Sequence, residues 1–218
     1  MLKKILFVII LLNTVAILNA ENNIKGQFDQ KYRMWKEFMA SNKAIFLTDT
    51  TGRQSMYFDE IIKLGPSAVP YIIEKMKTDP VLWYAVRVIS KKCFEKHEWN
   101  ETNNDKDAAT LFLNWYNYGR FQTSQQFEKL YTESKNLKKV TKIKESETKE
   151  NYQMIKNLGI DALPYMVEKV KQGDTNLIPI ISELADGEIK STAKPAECIE
   201  WWQKNKEKWT LPPIKSKK

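Results

Sequence analysis

Leu64-Gly65-Pro66-Ser67-Ala68-Val69-Pro70-Tyr71-Ile72-Ile73-Glu74-Lys75-Met76-Lys77 returns further along the chain as Leu158-Gly159-Ile160-Asp161-Ala162-Leu163-Pro164-Tyr165-Met166-Val167-Glu168-Lys169-Val170-Lys171. Such duplication marks a repeat architecture, in which one supersecondary unit cannot bury its apolar face alone and leans on a copy of itself. The unit reads as helix, turn, helix. Gly65 and Gly159 stand where a first helix must stop, since glycine accepts positive φ without strain. Ser67 and Asp161 are placed to cap the next helix through their side-chain oxygens. Pro70 and Pro164 then fall inside its first turn, where amides have no intrahelical partner and a missing N–H costs little. Val69, Ile72, Ile73 and Met76, matched by Leu163, Met166, Val167 and Val170, keep the i, i+3, i+4, i+7 spacing of one apolar helix face.

Outward from this core, Tyr57, Phe58, Ile61, Ile62 and Leu64 mark the preceding helix of the first copy, and Tyr152, Ile155 and Leu158 that of the second. The likeness extends further. Gln27-Phe28-Asp29-Gln30-Lys31-Tyr32 resembles Gln126-Phe127-Glu128-Lys129-Leu130-Tyr131, and Trp115-Tyr116-Asn117 closes the first copy as Trp201-Trp202-Gln203 closes the second. Each module is expected to hold a leading helix, the duplicated pair, a third helix and a closing helix. In the first module the leading helix carries Phe28, Tyr32, Trp35 and Met39, the third Leu82, Ala85, Val88 and Ile89, and the closing helix Ala109, Phe112, Leu113 and Tyr116. The second opens at Thr123 with Gln126 three residues on, a capping-box pattern. The modules span 21–122 and 123–218, the second ending in a basic tail. Polar stretches Glu95 to Asp107 and Asp186 to Pro195 precede the two closing helices, and matching insertions in repeat proteins tend to gather on one face.

The pattern Leu-Gly-x-x-Ala-(Val/Leu)-Pro-Tyr followed by two apolar residues and Glu-Lys resembles the core of a HEAT-type repeat, the paired-helix unit of armadillo-like α-solenoids. That resemblance implies an all-α fold, a short α-solenoid of two duplicated HEAT-like modules, and a scaffolding or binding role. It specifies fold well and function poorly. Some relatives in that class act on bilins or hydroxylate amino acids with a metal. This chain departs from the metal-dependent pattern, lacking repeated His-Glu pairs and holding His97 as its one histidine.

Lys3 and Lys4 precede the apolar run Ile5 to Leu18, and the small Ala20 stands just before Glu21. This is the pattern of a secretory signal peptide over 1–20, with cleavage after Ala20 and export to the periplasm or the extracellular space. Leu18, three positions before the cut, is larger than the usual small residue, and a retained N-terminal membrane anchor is the competing reading. No transmembrane span is expected once the signal is removed. Export makes a bridge between Cys93 and Cys198 chemically accessible, against the alternative of two separate buried thiols packing as small hydrophobes, which is the expectation here.

The 35 Lys and Arg against 27 Asp and Glu would suit an anionic partner. Lysines cluster at Lys135, Lys138, Lys139, Lys142, Lys144 and Lys149, and again at Lys204, Lys206, Lys208, Lys215, Lys217 and Lys218. Yet Arg33, Arg53, Arg87 and Arg120 are the only arginines, and bidentate phosphate and base contacts favour arginine. Nucleic acid is therefore disfavoured, with anionic lipid or glycan a secondary partner class behind a protein. Trp201, Trp202 and Trp209 crowd the end of the chain; sugar stacking is one use of such residues, and terminal core packing the preferred one, with Trp202 and Trp209 seven apart on one helix face.

For chemistry, Cys93, Glu95, His97 and Glu98 form the densest cluster. Cys93 and His97 would share a helix face, but two ligands do not make a zinc site, and no CxxC, HExxH or second histidine completes it. No orienting third residue for a Cys-His dyad is apparent. The expectation is a non-enzymatic binding or scaffold protein of a bacterial cell envelope, with no catalytic residue, cofactor or metal. An inhibitor or immunity-like protein is the alternative, with an enzyme using the Cys93 and His97 region behind it. The contact residues are expected in the matching loops: Trp99, Asn103, Asn104, Asp105, Glu188, Lys190 and Lys194.

Overall fold

The duplicated segments fold as read, each as a helix, a short 3₁₀ turn and a second helix. The structure, a computed structural model, describes residues 23–42, 53–100, 102, 104–139 and 145–214, among which no strand occurs. The helices in chain order are α1 (23–41), α2 (Met56–Ile62), α3 (Val69–Met76), α4 (Trp83–Ser90), α5 (Lys96–Asn100) and α6 (Asp105–Asn117). They continue as α7 (Thr123–Lys139), α8 (Glu145–Asn157), α9 (Leu163–Lys171), α10 (Ile178–Leu184) and α11 (Pro195–Asn205). The all-α class is as expected. The order α1, α2, α3, α4, α6 recurs as α7 to α11, with the short α5 the addition in the first series. The expected signal segment 1–20, Asn103, Lys142, Lys144 and the tail lysines Lys215, Lys217 and Lys218 lie outside the described residues.

The apolar stripes of α3 and α9 are buried at the predicted positions: Val69, Ile72, Ile73 and Met76, and Leu163, Met166, Val167 and Val170. Pro70 and Pro164 sit in the first turn of each helix, as their missing N–H requires. Gly65 and Gly159 hold φ of 69° and 76° with ψ of −163° and −161°, a region essentially reserved for glycine. Ser67 and Asp161 do not cap. Both lie within the 3₁₀ turns Pro66–Ala68 and Ile160–Ala162, which take up the approach to each helix and leave no side-chain cap hydrogen bond. Asp161 instead reaches Arg120, with bonds from Nε at 2.7 Å and Nη2 at 3.1 Å. Thr123, expected as a cap, is the first helical residue of α7, because the 3₁₀ turn Gly119–Gln122 runs straight into that helix.

Aromatic packing ties the elements together. Trp35 of α1 meets Phe58 of α2 edge-on at 5.1 Å, and both are fully buried; such a pair adds about 1 kcal/mol beyond its area. On α4, Trp83 and Val86 face the core, while Val88, expected there, is only half-buried. Trp201 and Trp209 are buried with rings 6.4 Å apart, so the terminal tryptophans do pack inward. Trp202, half-buried against the same core, and Trp209 do not share a helix face as expected: α11 ends at Asn205, and Trp209 returns to Trp201 through the following turns.

One feature shared by the two series escaped the sequence reading. Tyr32 of α1 donates to Asp79 Oδ2 at 2.7 Å, and Tyr131 of α7 to Asp174 Oδ2 at 2.9 Å. Lys36 and Lys135 pair with those same carboxylates at 3.0 and 2.6 Å, while Lys75 and Lys169 lie over the tyrosine rings at 4.8 and 4.9 Å. Each leading helix is thus pinned to the turn after the second helix of its pair. Burial pushes the Asp174 carboxyl up, but hydrogen bonds from Lys135, Asn176 and Tyr131 outweigh it and hold the group down at about 2.

Candidate functional site

The two series meet where α4 ends. Lys91, with φ of 55°, turns the chain out of α4, and Cys93 N donates to Asn157 O at 3.0 Å at the end of α8. Gly159 lies directly on this exit: a Cβ there would stand 2.3 Å from Ser90 O and 2.9 Å from Lys92 N. Lys91 and Asp186, the two non-glycine residues with positive φ among those described, end α4 and follow α10, and their side chains bond each other at 2.7 Å. The joint is therefore a backbone contact flanked by an ion pair. A backbone seated that closely cannot slide without a clash.

A cavity lies on each side of it, and Cys93 and Asn157 line both. The first, about 310 Å³, opens between α5, α7 and α8. Its cations are Lys92 and Lys129, its acids Glu95 and Glu98, its apolar floor Leu130, Met154 and Leu158, and His97 and Gln126 stand at its edge. The second, about 380 Å³, opens between α4, α8 and α10, lined by Tyr84, Arg87, Lys91, Lys156 and Glu183 among others. A third, of about 340 Å³, lies under Arg120 and the C-terminal segment, beside the exposed ring of Phe121. Arg120 there also donates to Pro212 O at 3.0 Å, and with its bonds to Asp161 it fastens the 3₁₀ turn Gly119–Gln122, the α8–α9 turn and the C-terminal segment to one another.

The cluster Cys93, Glu95, His97 and Glu98 does gather at the first groove. Its groups are largely engaged with their own neighbours. Glu98 Oε2 accepts from Glu95 N at 2.7 Å, and His97, itself exposed, places Nδ1 3.3 Å from Glu95 Oε2. Among the described residues no three His, Cys, Asp or Glu side chains converge to hold a metal ion. Both cysteines are free thiols: Cys198 is fully buried, with burial pushing its thiol up to about 11, and Cys93 is half-buried.

The loop residues expected to make contacts are mostly braces. Trp99 packs on Trp83 at 5.4 Å and Phe94 at 6.1 Å, under the guanidinium of Arg87. Asn104 caps α6, accepting from Lys106 N at 2.9 Å and Asp107 N at 3.1 Å. Asp105 accepts from Trp83 Nε1 at 2.7 Å and pairs with Arg53. Glu188 does the same office in the second loop, accepting from Trp209 Nε1 at 3.0 Å and pairing with Lys208. Lys190 and Lys194 are exposed. Sequence reasoning missed the joint groove as a surface because its lining comes from three separated segments; the signal available was Cys93 to Glu98 together with Gln126 to Leu130, each already singled out for other reasons.

Among the described residues no helix is long and apolar enough to cross a membrane. Comparison with protein-family models, with curated proteins and with solved structures returned no match.

Proposed function

We propose that this chain is an exported, non-enzymatic binding protein of a bacterial cell envelope, built from two HEAT-type modules, which holds a protein partner at the joint between them. The observation that carries this is the joint itself: a backbone seat at Gly159 with a groove on either side. A surface fixed by backbone packing loses little freedom when a partner docks, which favours binding over a site that must first assemble. The loops between third and closing helices, occupied with bracing their own modules, are the weaker candidates for contact. Export follows from the Lys3, Lys4, Ile5 to Leu18, Ala20 pattern.

The test is capture. The chain from Glu21 to Lys218 is immobilised, crosslinked envelope and secreted material from the source organism is passed over it, and retained species are identified by mass spectrometry. One saturable protein partner, lost when Gln126→Trp fills the first groove, is the expected result; no saturable partner refutes the proposal. An inhibitor or immunity-like role predicts in addition that the retained partner is an enzyme silenced by the complex.

A second reading, thiol chemistry at Cys93, draws on the placement of Cys93 and His97 in one groove. It requires His97 to activate the thiol. A His97→Ala variant whose Cys93 alkylates as fast as the parent's at every pH removes that reading.

A further inference from the structure

The two grooves at the joint differ in how their cations are spent. In the second, Lys91 pairs with Asp186 at 2.7 Å, Lys156 with Glu183 at 2.7 Å, and Arg87 lies over the ring of Trp99 at 5.7 Å. In the first, no carboxylate among the described residues stands within ion-pair distance of Lys92 or Lys129. The acids of that groove keep their charge but point to other partners, Glu98 to the Glu95 amide and Glu95 towards His97, and so stand off from the two ammonium groups. Among the described residues, Lys92 lies over the Phe94 ring at 4.9 Å. Burial pushes its ammonium below the ordinary lysine range, and the more distant charges of Glu98, Cys93, Glu95 and Asp161 do not offset that. A desolvated cation without a counter-ion is costly, and an incoming anion relieves the cost. Lys129, exposed on α7, faces the same space.

We infer that the first groove takes an extended acidic peptide segment of a protein partner, its carboxylate held by Lys92 and Lys129 and an adjacent apolar side chain seated on Leu130, Met154 and Leu158. This rests on the binding function proposed above and names the chemistry of what is bound. Charge complementarity selects an anionic occupant. Two ammonium groups act as point charges toward an anion, with no arginine fork in this groove to demand a bidentate one, so the choice of a peptide carboxylate comes from what lies beside them. The apolar floor beside the cations asks for a side chain next to the acid, which a peptide supplies and a free carboxylate does not. At about 310 Å³ the groove lies at the lower end of the range for ligand sites.

The test is fluorescence anisotropy on the full-length protein, with a labelled, capped peptide alternating glutamate and leucine and a control peptide alternating lysine and leucine. The acidic peptide is expected to bind and the basic one not. Lys92→Met and Lys129→Glu are each expected to weaken binding about tenfold or more, with Lys156→Met in the other groove leaving it unchanged. Should Lys92→Met fail to fold, as judged by circular dichroism, Lys129→Gln on the exposed face of α7 carries the test alone. Equal binding of both peptides, no binding up to about 1 mM, or unchanged affinity in the lysine variants overturns the inference. In the capture experiment, a partner retained equally by Lys129→Glu overturns this inference while leaving the binding function standing; the absence of any saturable partner removes that function.

Discussion

Gly65 and Gly159 occupy the same place in two copies of one turn, with φ of 69° and 76°, yet one faces open space and the other the backbone of Ser90 to Lys92. The neighbouring position shows the same divergence. Ser67 is exposed, whereas Asp161 is half-buried and gripped by Arg120. The tyrosine braces, by contrast, are alike in both series, Tyr32 on Asp79 and Tyr131 on Asp174. Each copy therefore keeps what holds it together internally, and the copies part where the second bears on the first. The α8–α9 turn has become the joint, and the grooves follow from it.

The largest expected effect separates the two glycines. A side chain at either site meets the backbone strain of positive φ, of order 1–3 kcal/mol. Gly159→Ala also drives a Cβ to 2.3 Å from Ser90 O, so it is expected to cost more than about 4 kcal/mol, against about 1–2 kcal/mol for Gly65→Ala. Urea midpoints at constant m-value measure this difference, and equal losses would break the comparison. Next come the turn residues. Asp161→Ala takes the carboxylate from the buried Arg120 guanidinium, leaving it the backbone carbonyls of Leu211 and Pro212, and should cost about 3 kcal/mol, while Ser67→Ala should stay within about 0.5 kcal/mol.

The braces predict equality where the turns predict difference. Tyr32→Phe and Tyr131→Phe each remove one hydrogen bond to a carboxylate and should each lower stability by about 1 kcal/mol. A thermal scan giving markedly unequal shifts would show that the two series are not built alike. The smallest effect is the pH dependence of Asp174. Its carboxyl titrates lower in the folded protein, at about 2, than in an unfolded chain, near 3.9, so its contribution is present above about pH 4 and is lost as pH falls towards 2. Its charged partner Lys135 is partly open to solvent, and screening there keeps this to about 1 kcal/mol or less. The stability difference between the parent and Asp174→Asn should shrink over that window; a difference independent of pH would contradict the cause given for the low value.

What could be read from the residues was local. The prolines of α3 and α9, their apolar stripes and the helix order all follow from periodicity and from where an amide has no partner. The Tyr–Asp braces were within reach, since Tyr32 and Tyr131 already lay in matched segments, but Gly173 adds a residue to the second turn and takes Asp174 out of register with Asp79. Ser67 and Asp161 misled because a serine or aspartate before a helix is a good cap only when the chain enters extended, and here a 3₁₀ turn intervenes. The internal roles of Asp105 and Glu188 were not legible, because a polar stretch between helices looks like free surface until an indole N–H is found bonded to its carboxylates. The joint had no local signature at all: Gly65 and Gly159 sit in nearly identical sequence, and only tertiary packing tells them apart.

The central claim is that partners bind at the joint. A photoreactive side chain at Gln126, on the rim of the first groove, should crosslink one partner protein on irradiation, and the same group at Lys77, which lines none of the three cavities described, should not. Crosslinks from Lys77 with none from Gln126 would contradict the account.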